Sequence, residues 1–129
     1  MNDDELITLA LEARKSAYAP YSQFAVGAAL LCEDGSVFKG CNVENLSYGL
    51  TNCAERTAVF SAIAAGKRNF RKVVIASDSK EPVSPCGACR QVLAEFNADL
   101  PILCVNLQGD RFKSALSTLL PRAKTGILG

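Results

Sequence analysis

Apolar and polar positions alternate with helical spacing near the N-terminus. The pattern predicts an amphipathic helix over residues 3–17. Asn2 and Glu5 have the spacing of a capping box at its start, and Pro20 follows its end. The repeating apolar positions are Leu6, Ala10, Ala13 and Ala17.

The chain then changes from helical to extended patterns. Residues 24–32 and 37–41 predict two strands, joined at Asp34 and Gly35 by a hairpin turn. Small residues from Gly27 onward leave room for another element to pack closely against the first strand. A polar loop over residues 42–52 follows the hairpin.

Helices and apolar strands alternate over the rest of the chain. Unbroken apolar runs of this length are typical of strands that are buried on both faces. The pattern predicts a helix at 53–65 closed by Gly66, a strand at 73–76, a helix at 86–97, a strand at 102–105, a short edge strand after 108–110, and a helix at 114–120.

This element order predicts the fold class. The strand–helix–strand unit over residues 73–105 should be a right-handed crossover between parallel strands. The hairpin and the edge strand add antiparallel neighbours. We therefore expect residues 1–129 to form a single domain, a three-layer α/β/α sandwich around a central mixed five-stranded sheet.

Composition and charge exclude several classes of protein. The formal net charge is +1 and the charges are scattered, so strong binding to a nucleic-acid backbone is not expected. No apolar run approaches the roughly 18 residues of a membrane helix. The first residues are acidic where a signal peptide would be basic, and we expect a cytoplasmic protein.

Six cysteines fall into two groups. Cys32 and Cys104 lie inside apolar runs and Cys41 ends one, which is typical of small buried hydrophobic residues. The other three cysteines lie in polar or turn-like surroundings, where metal binding or catalysis becomes the better explanation in a reduced cytosol. They are Cys53, Cys86 and Cys89.

Cys86 and Cys89 stand at the start of a predicted helix. Residues three apart on a helix share one face and can bind the same metal, and the helix N-terminus favours thiolates. Ser84 is the expected N-cap and Pro85 the expected first helical residue. The same Cys-Gly-x-Cys pattern also occurs in dithiol redox proteins, so both interpretations remain open at this stage.

Cys53 begins the other cysteine-bearing helix, two residues before Glu55. The two helix starts follow adjacent strands and can converge. Because the chain has no histidine, a zinc ion here would be held by three thiolates, which leaves one tetrahedral position for water. Glu55 could then accept a proton from that water. Alternatively, Asn52 could be an N-cap and Glu55 its capping-box partner.

The combination of these motifs resembles the zinc nucleoside deaminases, whose pattern pairs H-x-E with P-C-x-x-C. Cys53 replaces the histidine, which is similar to the small three-cysteine form of cytidine deaminase. The resemblance covers nearly the whole chain, to about Pro121. It also includes segments 20–29, 42–45, 48–49 and 53–56.

The resemblance implies zinc-dependent hydrolytic deamination of cytidine and 2′-deoxycytidine, a step of pyrimidine salvage. Glu55 is implied as the proton shuttle, and Cys53, Cys86 and Cys89 as ligands of Zn²⁺. Three thiolates would leave the complex at about −1, and Arg56 is the implied compensating charge. The resemblance also implies a homotetramer with active sites shared between subunits.

Substrate contacts are implied by the same resemblance. Asn42 and Glu44 are expected to hold the ribose hydroxyls, and Phe24 to stack on the base. The main chain of Ala54 and the carbonyl of Ser84 are expected to bind the base edge, and Tyr48 to lie near the sugar. Independently of the resemblance, Arg90 is expected to be an ordinary solvated helix charge.

One departure affects the substrate range. Related enzymes carry an aromatic residue three positions after the Leu-Leu-Pro near the C-terminus, where this chain has Lys124. A modified cytosine nucleoside or a cytosine-nucleoside antibiotic is therefore the alternative substrate. A polynucleotide deaminase is less favoured, because a basic aromatic surface is missing. A structural zinc module or a dithiol redox protein represents other classes.

Overall fold

The computed structural model describes residues 1–123, which contain five strands and four α-helices. Their order is helix, two strands, helix, strand, helix, two strands, helix. The strands are β1 (Val26–Cys32), β2 (Val37–Cys41), β3 (Phe70–Ser77), β4 (Pro101–Asn106) and β5 (Arg111–Ala115). The helices are α1 (Asp3–Arg14), α2 (Ala54–Ala64), α3 (Gly87–Phe96) and α4 (Leu116–Leu119). A 3₁₀ turn at Tyr48–Leu50 lies in the loop before α2.

The strands form one mixed sheet in the order β2-β1-β3-β4-β5. β3 and β4 run parallel, and the remaining neighbours are antiparallel. The predicted mixed five-stranded sheet and the parallel pairing are confirmed. That residues 1–129 form a single domain stays a prediction.

The two faces of the sheet carry different helices. Along β1, Ala28 and Leu30 belong to the cluster covered by α2, α3 and α4, whereas Ala29 and Leu31 belong to the cluster covered by α1. This alternation follows from the two-residue period of side chains along a strand. The predicted α/β/α layering is therefore confirmed. Within residues 1–123, no helix has both the length and the apolar character needed to cross a bilayer.

Two glycines in the hairpin set the spacing between the sheet and its helices. A Cβ on Gly27 would lie 2.0 Å from the carbonyl oxygen of Ala10 in α1. A Cβ on Gly40, on the other face, would lie 2.3 Å from the carbonyl oxygen of Ala54 in α2. Both contacts are with backbone atoms, so only glycine allows this approach. The expected close neighbour at Gly27 is therefore α1.

Several element boundaries differ from the predictions. β1 begins at Val26 rather than residue 24, and β3 begins at Phe70 rather than residue 73. The first helix ends at Arg14 rather than residue 17, and Tyr18 instead forms a bridge with Val43. The last helix covers Leu116–Leu119 rather than 114–120, because Ser114 still pairs with β4 as part of β5. The capping box of Asn2 and Glu5 is present as predicted. Lys124 lies outside the described residues.

Candidate active site

Both cysteine motifs begin a helix, but with different caps from those predicted. Cys53 is the N-cap of α2, and Cys86 is the N-cap of α3, where its Sγ accepts a hydrogen bond from the Cys89 amide at 3.4 Å. The expectation of Ser84 as N-cap and Pro85 as first helical residue was therefore wrong by two positions.

The capping-box alternative for Glu55 is also wrong. Asn52 is not the cap of α2, and its backbone instead forms a bridge with Val43. Cys53 makes no side-chain capping bond, so α2 begins without the usual side-chain acceptor. The side chain of Glu55 is consequently not needed to close the start of its own helix.

The three cysteine sulfur atoms converge between the two helix starts. They all lie within 4.8 Å of one another, and the sulfur atoms of Cys53 and Cys86 are 3.7 Å apart. A tetrahedral zinc ion with bonds of about 2.3 Å needs sulfur atoms roughly 3.8 Å apart. Cys53, Cys86 and Cys89 therefore fit a zinc site with three thiolate ligands, and Zn²⁺ as the cofactor is confirmed.

The electrostatics of the cluster favour a cation at its centre. Hydrogen bonds from Cys89 and Arg56 lower the pKa of the Cys53 thiol to about 5. The Cys53 thiolate and burial in turn raise the pKa of Cys89 well above its ordinary value. The cluster thus holds a first negative charge readily and opposes a second. A divalent cation removes that opposition, because metal binding favours the deprotonated thiols.

Arg56 contacts the cluster directly. Its Nη2 donates a hydrogen bond to the Sγ of Cys53 at 3.3 Å. This geometry places a fixed positive charge beside a thiolate one helical turn away, as expected for the residue that offsets excess negative charge.

Glu55 is buried and lines a cavity. Its relative exposure is 5%, and burial raises its pKa to about 7, with a further contribution from the Cys53 thiolate. A carboxyl group with a pKa near neutrality can both accept and return a proton. The structure therefore places a carboxyl group of nearly neutral pKa in the same cavity as Cys53 and Cys86 of the cysteine cluster.

The cavity has a volume of about 230 Å³ and is lined by several of the predicted site residues. Its walls are mainly apolar, and the polar residues that line it include Asn42, Asn52 and Ser84. The predicted site residues that line it are Phe24, Asn42, Cys53, Ala54, Glu55, Ser84 and Cys86.

Glu44 and Tyr48 do not line that cavity. They line an adjoining one of about 220 Å³, which shares Thr51 with the first. The carboxylate of Glu44 accepts hydrogen bonds from the amides of Tyr21 and Ser22 at 2.9 and 3.1 Å, and from the Ser22 hydroxyl. These bonds, led by the one from the hydroxyl, lower the pKa of Glu44. Glu44 is thus anionic at neutral pH.

Several site residues carried no recognisable signal in the sequence. Ile75 and Val83 form apolar wall of the cavity, yet each resembles any strand or loop residue. Gln23 adopts a positive φ of 58° immediately before Phe24. The expectation of a solvated Arg90 was wrong, since its guanidinium makes three hydrogen bonds within the fold.

Comparisons with known proteins agree with this geometry. The family model "Cytidine and deoxycytidylate deaminase zinc-binding region" matches residues 1–104. A cytidine deaminase from Sporosarcina psychrophila is 52% identical over 124 residues, covering 95% of this chain and 91% of that protein. A cytidine deaminase from Halalkalibacterium halodurans is 55% identical over 126 residues, covering 97% of this chain and 96% of that protein.

A solved structure supports the same assignment. The crystal structure of cytidine deaminase from Burkholderia pseudomallei superimposes with a TM-score of 0.93 at 52% identity, covering 96% of this chain and all of that one. A blasticidin-S deaminase from Bacillus cereus is only 30% identical over 127 residues, covering 92% of this chain and 89% of that protein. The deaminase that represents the antibiotic alternative is therefore less similar to this chain than the two cytidine deaminases are.

The fold and the three-thiolate cluster beside a buried carboxyl group define a zinc-binding hydrolytic deaminase. Within that class, the chain belongs to the cytidine and deoxycytidylate deaminase family.

Proposed function

We propose that this chain converts cytidine and 2′-deoxycytidine, with one water, into uridine and 2′-deoxyuridine and releases ammonia. The observation that carries the proposal is the buried Glu55, which lines the same cavity as Cys53 and Cys86 of the thiolate cluster. Zinc held by the three thiolates supplies a Lewis acid that lowers the pKa of water at that point.

Glu55 moves the protons of the reaction. A C–O bond forms at C4 of the base, and the C4–N bond to the amino group breaks. Glu55 accepts the first proton of the attacking water and delivers it to ring N3, and the second goes to the departing amine. A pKa near 7 matches this alternation at neutral pH.

The cavity walls fit a pyrimidine base. Phe24 supplies an aromatic face for stacking, and its position is set by the turn at Gln23. The Ala54 main chain, in the first turn of α2, has an N–H without an intrahelical acceptor. We infer that this N–H and the Ser84 carbonyl bind the edge of the base.

The ribose contacts follow from unused hydrogen-bonding capacity. The Asn42 side chain accepts from the Val26 amide at 2.9 Å and donates to the Phe24 carbonyl at 2.8 Å. One N–H and one lone pair of its amide remain for a hydroxyl group. The Glu44 carboxylate likewise retains acceptor capacity after its bonds to Tyr21 and Ser22.

The charges of the two cavities favour a nucleoside over a nucleotide. Among the described residues, neither cavity is lined by lysine or arginine, while Glu44 is anionic. A 5′-phosphate would meet a negative charge without a compensating cation. We infer that nucleoside monophosphates are poor substrates.

A homotetramer with shared active sites is part of the proposal. Leu46, Tyr48 and Leu50 are 84%, 88% and 70% exposed, and the first two line the adjoining cavity. An apolar surface at the edge of a site is typical of a region covered by another subunit. Light scattering of wild type and Leu46→Asp tests this, and a wild-type monomer at assay concentration would contradict it.

The biological setting is proposed on chemical grounds. Conversion of a cytosine nucleoside into uridine or 2′-deoxyuridine is a step of pyrimidine salvage. All six cysteines have free thiols, and a cluster of three thiol ligands needs a reducing compartment. We therefore infer a cytoplasmic location.

The activity is tested by incubating the zinc-loaded protein with cytidine, 2′-deoxycytidine, cytosine and cytidine 5′-monophosphate. Loss of the aminopyrimidine absorbance and release of ammonia are followed together. We expect turnover of both nucleosides and little of the base or the monophosphate. Absence of turnover with both nucleosides would contradict the proposal, and an added cytosine-nucleoside antibiotic would then test the alternative.

A further inference from the structure

Arg90 connects two segments that are far apart in the sequence. Its Nε donates a hydrogen bond to the Pro85 carbonyl at 2.8 Å, and its Nη2 donates to the Ser84 hydroxyl at 3.2 Å. Its Nη1 donates to the Leu119 carbonyl at 2.8 Å. One guanidinium group thus joins the residues directly before Cys86 to the end of α4.

The position of Arg90 is unfavourable for its own helix. It is the fourth residue of α3, near the N-terminus, where the helix dipole disfavours a positive charge. The Leu119 carbonyl, in contrast, lies at the end of a four-residue helix and lacks an intrahelical donor. The contacts to distant segments, rather than helix formation, therefore account for an arginine here.

The segment that Arg90 contacts forms one wall of the cavity. Residues 80–86 have no regular secondary structure, and Val83 and Ser84 line the cavity. The earlier part of this segment is fixed by Asn106, whose Nδ2 donates to the Lys80 carbonyl at 2.8 Å. Arg90 fixes the later part of this segment, next to the cysteine cluster.

We propose that Arg90 is a positioning residue that holds Ser84 and Pro85 in place relative to Cys86 and couples this wall of the cavity to the end of α4. The planar guanidinium spans three acceptors in fixed directions, which a lysine ammonium cannot do. The effect of Arg90 on substrate binding rests on the proposed function, in which the Ser84 carbonyl binds the base. The effect of Arg90 on the backbone of residues 84–86 is independent of that function.

The test compares zinc-loaded, full-length Arg90→Lys and Arg90→Gln with wild type. The matched control is Arg68→Lys, because the Arg68 side chain is exposed in the loop before β3 and makes no hydrogen bond or ion pair with a described residue. Amide hydrogen exchange is measured for peptides covering residues 79–88 and 116–123. KM and kcat for cytidine are measured on the same samples.

We expect faster exchange in both peptides for both Arg90 variants and unchanged exchange elsewhere. KM should rise roughly tenfold or more, as is typical for loss of a group that orients a site, while kcat changes less. Arg68→Lys should behave as wild type.

Three results would overturn the proposal: wild-type exchange and KM in Arg90→Lys, faster exchange spread over the whole chain, or a fall in kcat alone. Because hydrogen exchange needs no substrate, local opening without cytidine turnover in wild type would reject the proposed function and retain the positioning role.

Discussion

Arg56 donates a hydrogen bond to the Sγ of Cys53 at 3.3 Å, one turn along the helix that Cys53 begins. This contact places a permanent cation beside one of the three clustered sulfur atoms. As thiolates, the three would carry more negative charge than Zn²⁺ carries positive charge. Arg56→Ala should therefore release zinc to a chromogenic chelator roughly 10–100 times faster than wild type, as expected when a partner of a metal ligand is lost.

Arg68→Ala is the control for the Arg56 variant, since it removes the same side chain from an exposed loop. Equal rates of zinc release in wild type and Arg56→Ala would show that the contact does not offset charge at the cluster.

Glu55→Gln should separate metal binding from turnover. The amide has nearly the same shape but cannot accept the proton of water, so kcat for cytidine should fall by roughly 10²–10⁴-fold or more. The thiolate ligands are unchanged, and zinc content should remain at one ion per chain. Glu95→Gln, at an exposed position of α3, makes the same change outside the site and should retain activity. Substantial turnover in Glu55→Gln would reject the proton-shuttle role.

Gly40→Ala should destabilise the fold at the base of α2. The added Cβ would lie 2.3 and 2.4 Å from backbone atoms of Ala54 and Ala58, which cannot move aside as a side chain could. The free energy of unfolding in urea should fall by about 1–3 kcal/mol or more. Gly49→Ala is the control, because nothing lies within 4 Å of its Cβ position. Similar stabilities for the two variants would contradict the close packing at Gly40.

Stability should depend on the ion pair between Asp3 and Lys72 at neutral pH. The Lys72 ammonium donates a hydrogen bond to the Asp3 carboxylate at 2.5 Å and lowers its pKa below the ordinary 3.8. A lowered folded-state pKa contributes stability above pH 3.8 that is lost as the pH falls through the folded value.

Asp3→Asn should therefore lose about 0.5–1 kcal/mol at neutral pH, the range of partly exposed pairs, and the deficit should shrink below pH 3.8. Glu33→Gln, in the exposed hairpin turn, is the matched control. A deficit that stays constant on acidification would mean that the charge of Asp3 does not cause it.

Much of the fold could be predicted because local patterns agree with it. Unbroken apolar runs marked β3 and β4, and small residues marked β1 where helices approach closely. The N-cap of α3 was placed two residues early because Ser84 and Pro85 are favourable starting residues, whereas the Sγ of Cys86 accepts the capping bond from the Cys89 amide. Local helix-capping preferences predict the start of a helix poorly where functional residues, here the cysteine cluster and the cavity wall, constrain the backbone.

Part of the candidate site could likewise be predicted from the sequence, and part could not. Cys53, Glu55 and Cys86 were recognisable because thiols and a carboxyl group in polar surroundings need a chemical reason. The role of Arg90 was not recognisable, because two of its three acceptors are backbone carbonyls. Every residue has such a carbonyl, and the one on Leu119 is 29 positions away.

The backbone contact between Gly40 and the start of α2 also determines where mutations can accumulate without loss of activity. The large core side chains belong to the same buried cluster as Ala54, which stands between Cys53 and Glu55, and they can be exchanged for other aliphatic side chains if the total volume is kept. Any Cβ at position 40 instead meets backbone atoms that cannot move aside. A library that repacks the core at constant volume but keeps this glycine should retain many active members. A library that varies the glycine itself should retain few.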